Sequence, residues 1–210
     1  MILMGLALVL TLSRSGMLSL AVALILWGYA AVRREHGALG RSAIVGGLAC
    51  LSILIVVWAG TDTIAARFLA ADTVAFGGRI PIWRGALDIL QDFWLTGSGL
   101  NTYGIATPFY PAIHGHHLRE AHSDYLQLAI EGGFLLAIPI AVAVVTFALM
   151  VRRRFMASEG STYWIRLGAV TGIVAVAVQS VVEFSLQIPG NAALFATLCA
   201  LALHRDRTSS

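Results

Sequence analysis

The stretch GGFLLAIPIAVAVVTFALMV, residues 132–151, decides the fold class of this chain because it contains no charged side chain. A helix needs about 20 predominantly apolar residues to cross the hydrocarbon core of a bilayer. Glu131 precedes the stretch and Arg152 follows it, so charge returns at both ends. The stretch therefore predicts a membrane-spanning helix.

Similar apolar runs recur along the chain. Four of them are long enough, or nearly so, to span a membrane: Ser15–Val32, Ser42–Thr61, Leu167–Val182 and Phe184–Leu203. Only 12% of the 210 residues are charged, about half the share in a typical soluble domain. The run Met1–Leu12 would rise only about 18 Å as a helix, so we expect it to be the tail of a membrane helix. The sequence predicts an all-α, polytopic membrane helical bundle of about five spans plus this N-terminal partial helix.

The arginines predict which side each connection faces, because cytoplasmic loops of membrane proteins are enriched in basic residues. Three clusters occupy every second connection: Arg33–Arg41, Arg152–Arg166 and Arg205–Arg207. We expect these clusters in the cytoplasm and the long loop Gly60–Glu131 outside. The chain is then a single membrane domain, residues 1–210, divided into N-terminal helices (1–59), an extracytoplasmic loop with amphipathic helices (60–131) and C-terminal transmembrane helices (132–210).

Two helices are predicted within this loop. Between Arg79 and Trp94, apolar residues recur at helical spacing and predict an amphipathic helix whose apolar face comprises Ile80, Trp83, Leu87, Leu90 and Trp94. Arg84 lies on its polar face, four residues before Asp88, a spacing that favours a solvated ion pair. The second helix is predicted to begin at Ser123, whose hydroxyl can cap it, and to meet Gly132 and Gly133 before the next span.

Three polar residues, all predicted outside the membrane on the same side, are the candidates for chemistry: Arg14, Arg79 and His122. Arginine offers a planar pair of donors to pyrophosphate oxygens and stays charged. Histidine, with an ordinary pKa of about 6.5, can take a proton from a hydroxyl nucleophile. Together they would suit transfer chemistry on a lipid pyrophosphate.

Plainer roles remain open for each candidate. Arg14 could be an interfacial anchor, Arg79 could close a turn, and His122 could be an ordinary helix-start residue. Glu131 and Glu183 would each need water or a partner at a membrane boundary.

Other ligand classes find little support. His114, His116 and His117, even with His122, match no compact metal-ligand spacing, so we expect no metal and no cofactor. The net charge of +3 comes from arginines scattered between apolar runs, which argues against nucleic acid. Cys50 lies in a long apolar stretch, as does Cys199, where a thiol behaves as a small hydrophobe.

Five short motifs occur in a defined order: SRSG (13–16), GRIPIW (78–83), LTGSGLNTY (95–103), AHSDYLQ (121–127) and EGG (131–133). In order and spacing they resemble the O-antigen ligase and O-antigen polymerase superfamily of bacterial membrane glycosyltransferases. The resemblance covers about Leu8 to Gly133. Ser123 stands where the family usually has asparagine, and the chain has fewer spans than its members, so we expect it to be the C-terminal half.

The resemblance implies an enzyme of the bacterial inner membrane with its active site facing the periplasm. Its donor would be a glycan on undecaprenyl pyrophosphate, and its acceptor a hydroxyl of lipid A-core, a growing polysaccharide or a protein. Arg14 and Arg79 match the arginines that hold the pyrophosphate, and His122 matches the histidine that assists the acceptor. The supporting candidates are Arg84, Tyr125 and Glu131.

Two other functions stay open. A non-catalytic or truncated membrane subunit would keep the fold without the activity. A small transporter could use Glu183 and the histidine cluster, but it would need polar residues within the spans, which beyond small hydroxyls and Gln179 contain almost none.

Overall fold

The computed structural model describes residues 14–34, 37, 79–110 and 120–205, and these residues form helices and turns without a strand. The helices are α1 (Arg14–Arg34), α2 (Arg79–Asp92), α3 (Tyr103–Ala106), α4 (Asp124–Met156), α5 (Gly160–Gln179) and α6 (Pro189–Leu203). Two 3-10 turns complete them, Thr107–Phe109 and Ser185–Gln187. The predicted all-α class is confirmed.

Three described helices are long and apolar enough to cross a membrane: α1, α4 and α5. They contain the predicted spans Ser15–Val32 and Gly132–Val151 and most of Leu167–Val182. The apolar helix α6 is shorter than the run Phe184–Leu203 suggested, because a 3-10 turn precedes it and the helix begins only at Pro189. The other two predicted segments, Met1–Leu12 and Ser42–Thr61, lie outside the described residues.

The chain forms two compact units. One consists of residues 1–70, 158–179 and 195–210, and the other of residues 71–157 and 180–194. In the first unit α1 packs along α5. The Arg34 guanidinium lies 3.9 Å from the centroid of the Tyr163 ring, and the Trp27 and Trp164 rings are 6.0 Å apart. These cation–π and aromatic contacts therefore stabilise the packing of the C-terminal part of α1 against α5.

Arg166 is a charged residue inside this first unit, only 4% exposed. Its Nε donates to the carbonyl oxygen of Ala202 at 3.0 Å, and its Nη2 donates to that of His204 at 2.7 Å. The last carbonyls of a helix have no partner within the helix. Arg166 of α5 therefore satisfies carbonyls at the end of α6.

The second unit has its core between α2, α3 and the start of α4. The buried residues are Ala86, Ile89, Tyr103, Ala121 and Ile130. The predicted apolar face of α2 is wrong in part, because Leu87 is 46% exposed and Trp94, which lies beyond the helix end, is 59% exposed. The small Gly85 and Ala86 face the core instead, since small side chains let helices approach closely.

Candidate functional site

His122 lies in a turn immediately before α4. Its φ is +51°, in the left-handed region that a non-glycine residue enters at a cost of about 1–2 kcal/mol. Ser123 follows as the helix cap, and its Oγ accepts the Leu126 N–H at 3.3 Å, which confirms the predicted helix start. His122 is therefore outside the helix, on a strained turn, and strain of this kind is often found at functional sites.

The imidazole is half-buried and packs edge-on against Phe184, with the ring centroids 5.5 Å apart. Its Nδ1 is buried and has no hydrogen-bond partner among the described residues. Burial of a polar atom without a hydrogen-bond partner lowers the free energy of unfolding, so such atoms are rare in native proteins and often have a functional reason.

The peptide groups on both sides of His122 are held by hydrogen bonds. The Ala121 N–H donates to Gln127 Oε1 at 3.0 Å, and the Ala121 carbonyl accepts from Trp83 Nε1 at 3.1 Å. On the other side, the Asp124 N–H lies 3.0 Å from the Ser180 carbonyl and 3.1 Å from the Glu183 carbonyl. These bonds hold the backbone of the strained turn in place.

The segment Ser180–Gln187 returns to this turn from a distant part of the chain. The Asp124 carboxylate accepts the Leu186 N–H at 2.9 Å and Gln187 Nε2 at 3.3 Å. Gln187 Nε2 also donates to Gln127 Oε1 at 3.1 Å. Asp124 thus binds the return segment through both its backbone and its side chain.

Glu131 is buried one turn beyond Gln127 and anchors the loop that follows α2. Its Oε2 accepts the Asn101 N–H at 2.8 Å, and its Oε1 accepts the Tyr103 N–H at 3.2 Å. Gln127 Nε2 donates to the same Oε1 at 3.1 Å. The Glu131 carboxylate therefore has the polar partners that a charged group at a membrane boundary needs.

Helix α4 is interrupted at Gly133, whose φ is +59°. The interruption frees backbone groups from the helical ladder, and the loop after α2 satisfies them. Ser98 N–H donates to the Ile130 carbonyl at 2.9 Å and Gly99 N–H to that of Glu131 at 3.0 Å. In the reverse direction Phe134 N–H donates to the Trp94 carbonyl at 2.8 Å.

On both sides of the interruption an apolar groove of about 360 Å³ runs along α4. It starts beside Tyr125, which is half exposed, and ends at Val145. Its lining is Tyr125, Leu128, Ala129, Gly133, Ala137, Ile140, Ala141, Val144 and Val145. The groove therefore extends from the first turn of α4 to its long apolar stretch.

The structure links Glu131 through Gln127 to Ala121, the residue before His122, and Tyr125 is half exposed on the same helix. Arg84 is exposed on α2, as its solvated-face interpretation predicts. Arg79 is the first residue of α2, and Arg14 the first of α1 in the other unit, but both side chains lie outside what the structure describes. The loop with His114, His116 and His117 also lies outside it.

Sequence reasoning missed the residues that hold the His122 turn: Trp83, Asp124, Gln127 and Gln187. The spacing of Gln127 and Glu131, four residues apart in an otherwise apolar segment, was a usable signal. Within the described ranges no group of three metal-ligating side chains exists.

The fold and the site define a class, a membrane-embedded helical protein with a polar, hydrogen-bonded site at the head of a spanning helix. The chain belongs to the O-antigen ligase family, whose model matches residues 1–141. That match includes Arg14, Arg79, His122 and Glu131. No curated protein and no solved structure is significantly similar to the chain.

Proposed function

We propose that the protein is a glycosyltransferase that moves a glycan from undecaprenyl pyrophosphate to a hydroxyl acceptor on the outer face of the bacterial inner membrane. The observation that carries the proposal is a series of hydrogen bonds that joins three motifs: LTGSGLNTY binds Glu131 of EGG, Glu131 binds Gln127 of AHSDYLQ, and Gln127 binds the residue before His122. Membership of the O-antigen ligase family supports the reaction class.

In the proposed reaction the acceptor hydroxyl oxygen attacks the anomeric carbon of the donor glycan. The bond between that carbon and the pyrophosphate oxygen breaks, and undecaprenyl pyrophosphate leaves with the bonding electrons. His122 takes the hydroxyl proton, because a sugar hydroxyl is a poor nucleophile at neutral pH and a positioned base contributes about 10²–10⁴-fold. Arg14 and Arg79 hold the pyrophosphate, whose charge increases as it leaves.

The groove on α4 supports a lipid-linked donor. A polyprenyl chain is wholly apolar, and the groove lining carries no charged side chain. Since the groove begins beside Tyr125, three residues from His122, a chain seated there would bring its pyrophosphate end toward the turn. The acceptor would then be lipid A-core, a growing polysaccharide or a protein.

The test is transfer from a lipid-linked glycan by the purified full-length protein. His122→Asn should lower transfer by about 10²–10⁴-fold, to a residual rate, yet fold normally, because asparagine enters the left-handed region more readily than other side chains. His116→Ala is the matched control and should remain active. Near-normal transfer by His122→Asn would exclude the base role, and a wild-type protein without transfer would favour the non-catalytic subunit.

A further inference from the structure

We infer that Gln127 is a positioning residue for His122, an inference that rests on the function proposed above. Gln127 is buried in the first turns of α4. Its Oε1 accepts the Ala121 N–H, while Trp83 binds the Ala121 carbonyl. The residue before His122 is thus fixed at both of its backbone polar groups, and Gln127 supplies one of these two bonds.

Glu131 decides which end of the Gln127 amide faces Ala121. A carboxylate only accepts hydrogen bonds, so the amide end that meets it must be the donor Nε2. This turns Oε1 toward two donors, the Ala121 N–H and Gln187 Nε2. A flipped amide would set a donor against the Ala121 N–H, so Glu131 controls the orientation on which the bond to Ala121 depends.

Glu131 is itself fixed by the loop after α2, through the N–H groups of Asn101 and Tyr103. A continuous series of hydrogen bonds therefore runs from this loop through Glu131 and Gln127 to the residue before His122. Each member after the loop is buried, which strengthens such bonds and makes their loss costly. The three motifs act as one support for the imidazole.

The first experiment compares Gln127→Met with Gln91→Met. Methionine has a volume close to that of glutamine but lacks the amide, and Gln91 is exposed on α2. Gln127→Met should lower kcat by about 10- to 100-fold, since a displacement of about an ångström costs on that order, with little change in KM for the donor. Gln91→Met should keep the wild-type kcat.

A double-mutant cycle asks whether Gln127 acts through His122. In a His122→Asn background, Gln127→Met should cause no further loss, because no base remains to be positioned. The inference would be overturned if the double variant lost activity by the product of the two single-variant factors. It would also be overturned if Gln127→Met had the same kcat as Gln91→Met.

The exchange of Gln127→Glu with Glu131→Gln reverses which of the two side chains is the amide and which is the carboxylate. A hydrogen bond between positions 127 and 131 remains possible. Gln127→Glu alone brings two carboxylates into contact and should be impaired. In the double variant the carboxylate introduced at position 127 accepts from both the Ala121 N–H and the amide introduced at position 131, whose Nε2 then faces the Tyr103 N–H and loses that bond. We therefore expect kcat to recover only in part relative to Gln127→Glu, and to exceed that of Glu131→Gln alone. A double variant no better than either single variant would contradict the role of Glu131, and this comparison decides the question even where Gln127→Met does not accumulate.

A readout independent of transfer separates this inference from the proposed function. Diethyl pyrocarbonate modifies neutral imidazoles, and mass spectrometry of the His122 peptide measures the rate at that residue. The rate should rise in Gln127→Met, because the half-buried ring is released, and stay unchanged in Gln91→Met. Unchanged labelling in Gln127→Met refutes the positioning role, whereas normal transfer by His122→Asn refutes the base role.

Discussion

At the residue scale, the conformation of His122 depends on its neighbours rather than on its own preference. A left-handed histidine persists only where surrounding contacts outweigh its strain, and here the bonds at Ala121 and Asp124 do so. The backbone of His122 is therefore fixed, and the Nδ1 of its ring has no partner among the described residues. Such preorganisation is what a group that must act without rearranging requires.

The two arginines of α2 should respond differently to the same substitution. Arg79→Lys should impair transfer more than Arg84→Lys, because a lysine ammonium cannot reproduce a two-pronged contact to pyrophosphate. Arg84 is exposed and pairs by spacing with Asp88, so its replacement should be tolerated. Transfer rates at matched expression make the comparison. Equal losses at the two positions would show that the pyrophosphate contact is assigned to the wrong arginine.

Tyr103 predicts how stability changes in alkaline solution. Burial raises the pKa of its hydroxyl to about 12, whereas an unfolded tyrosine titrates at about 10. The folded protein holds this proton more tightly, so the contribution is fully present below about pH 10 and is lost as the pH rises toward about 12. Melting temperatures in detergent should therefore decline less over this range in Tyr103→Phe than in the wild type.

In Tyr103→Phe the alkaline decline of the melting temperature should be smaller but still present, because a second tyrosine contributes to it. Burial and a 2.7 Å hydrogen bond to Asp92 also raise the pKa of Tyr110 to about 12. Tyr110→Phe is therefore the companion variant, and the two effects should add. An alkaline decline unchanged in both variants would contradict the assignment.

At the scale of elements, the contact between α4 and the loop after α2 depends on glycine. Gly133→Ala should destabilise the protein, because φ +59° and ψ −168° lie in a region that is essentially restricted to glycine and costs another residue about 1–3 kcal/mol. Its Cβ would also collide with the backbone of Gly97 and Leu95, which cannot rotate aside. Overpacking of this kind typically adds about 1–3 kcal/mol.

Gly168→Ala is the matched control for this substitution. Gly168 lies within α5, and a Cβ there meets nothing within 4 Å. Thermal unfolding in detergent should show a lowered Tm for Gly133→Ala and an unchanged or raised Tm for Gly168→Ala. Equal melting temperatures would mean that the loop and α4 are not in backbone contact.

The elements themselves were largely predictable, and their faces and contacts less so. The cap at Ser123 and the interruption after Gly132 follow from local chemistry, which one sequence reveals. The predicted apolar face of α2 was wrong in part, because residue spacing shows which side chains share a face but not which face packs against the core. Gly85 and Ala86 are buried, and Leu87 is exposed. A small residue carries almost no periodicity signal, although it permits the closest packing.

For the whole molecule, the arginine distribution predicts an orientation that labelling can test. The loop Gly60–Glu131 should lie outside, and the connection at Arg33–Arg41 inside. In intact cells a membrane-impermeant thiol reagent should react with Gly115→Cys and not with Gly37→Cys. The opposite pattern would invert the topology and place the His122 turn in the cytoplasm.

Long-range pairing marks the limit of prediction for the site. The motifs place His122, Gln127 and Glu131 within one short segment, so their proximity could be foreseen. The return of Ser180–Gln187 to Asp124 could not, because it joins residues about sixty positions apart and depends in part on backbone carbonyls and N–H groups. Almost every residue type offers those groups, and nothing in the sequence pairs the Asp124 carboxylate with the distant Leu186 N–H and Gln187 amide.

The bonds of Arg166 connect the start of α5 to residues that are synthesised later. Its acceptors, the carbonyls of Ala202 and His204, leave the ribosome after α5 does. Arg166 lies in the second turn of α5, beside the connection that we expect in the cytoplasm, where a long cationic side chain can reach water or headgroups. The two hydrogen bonds to the end of α6 can therefore form only after α6 has been made.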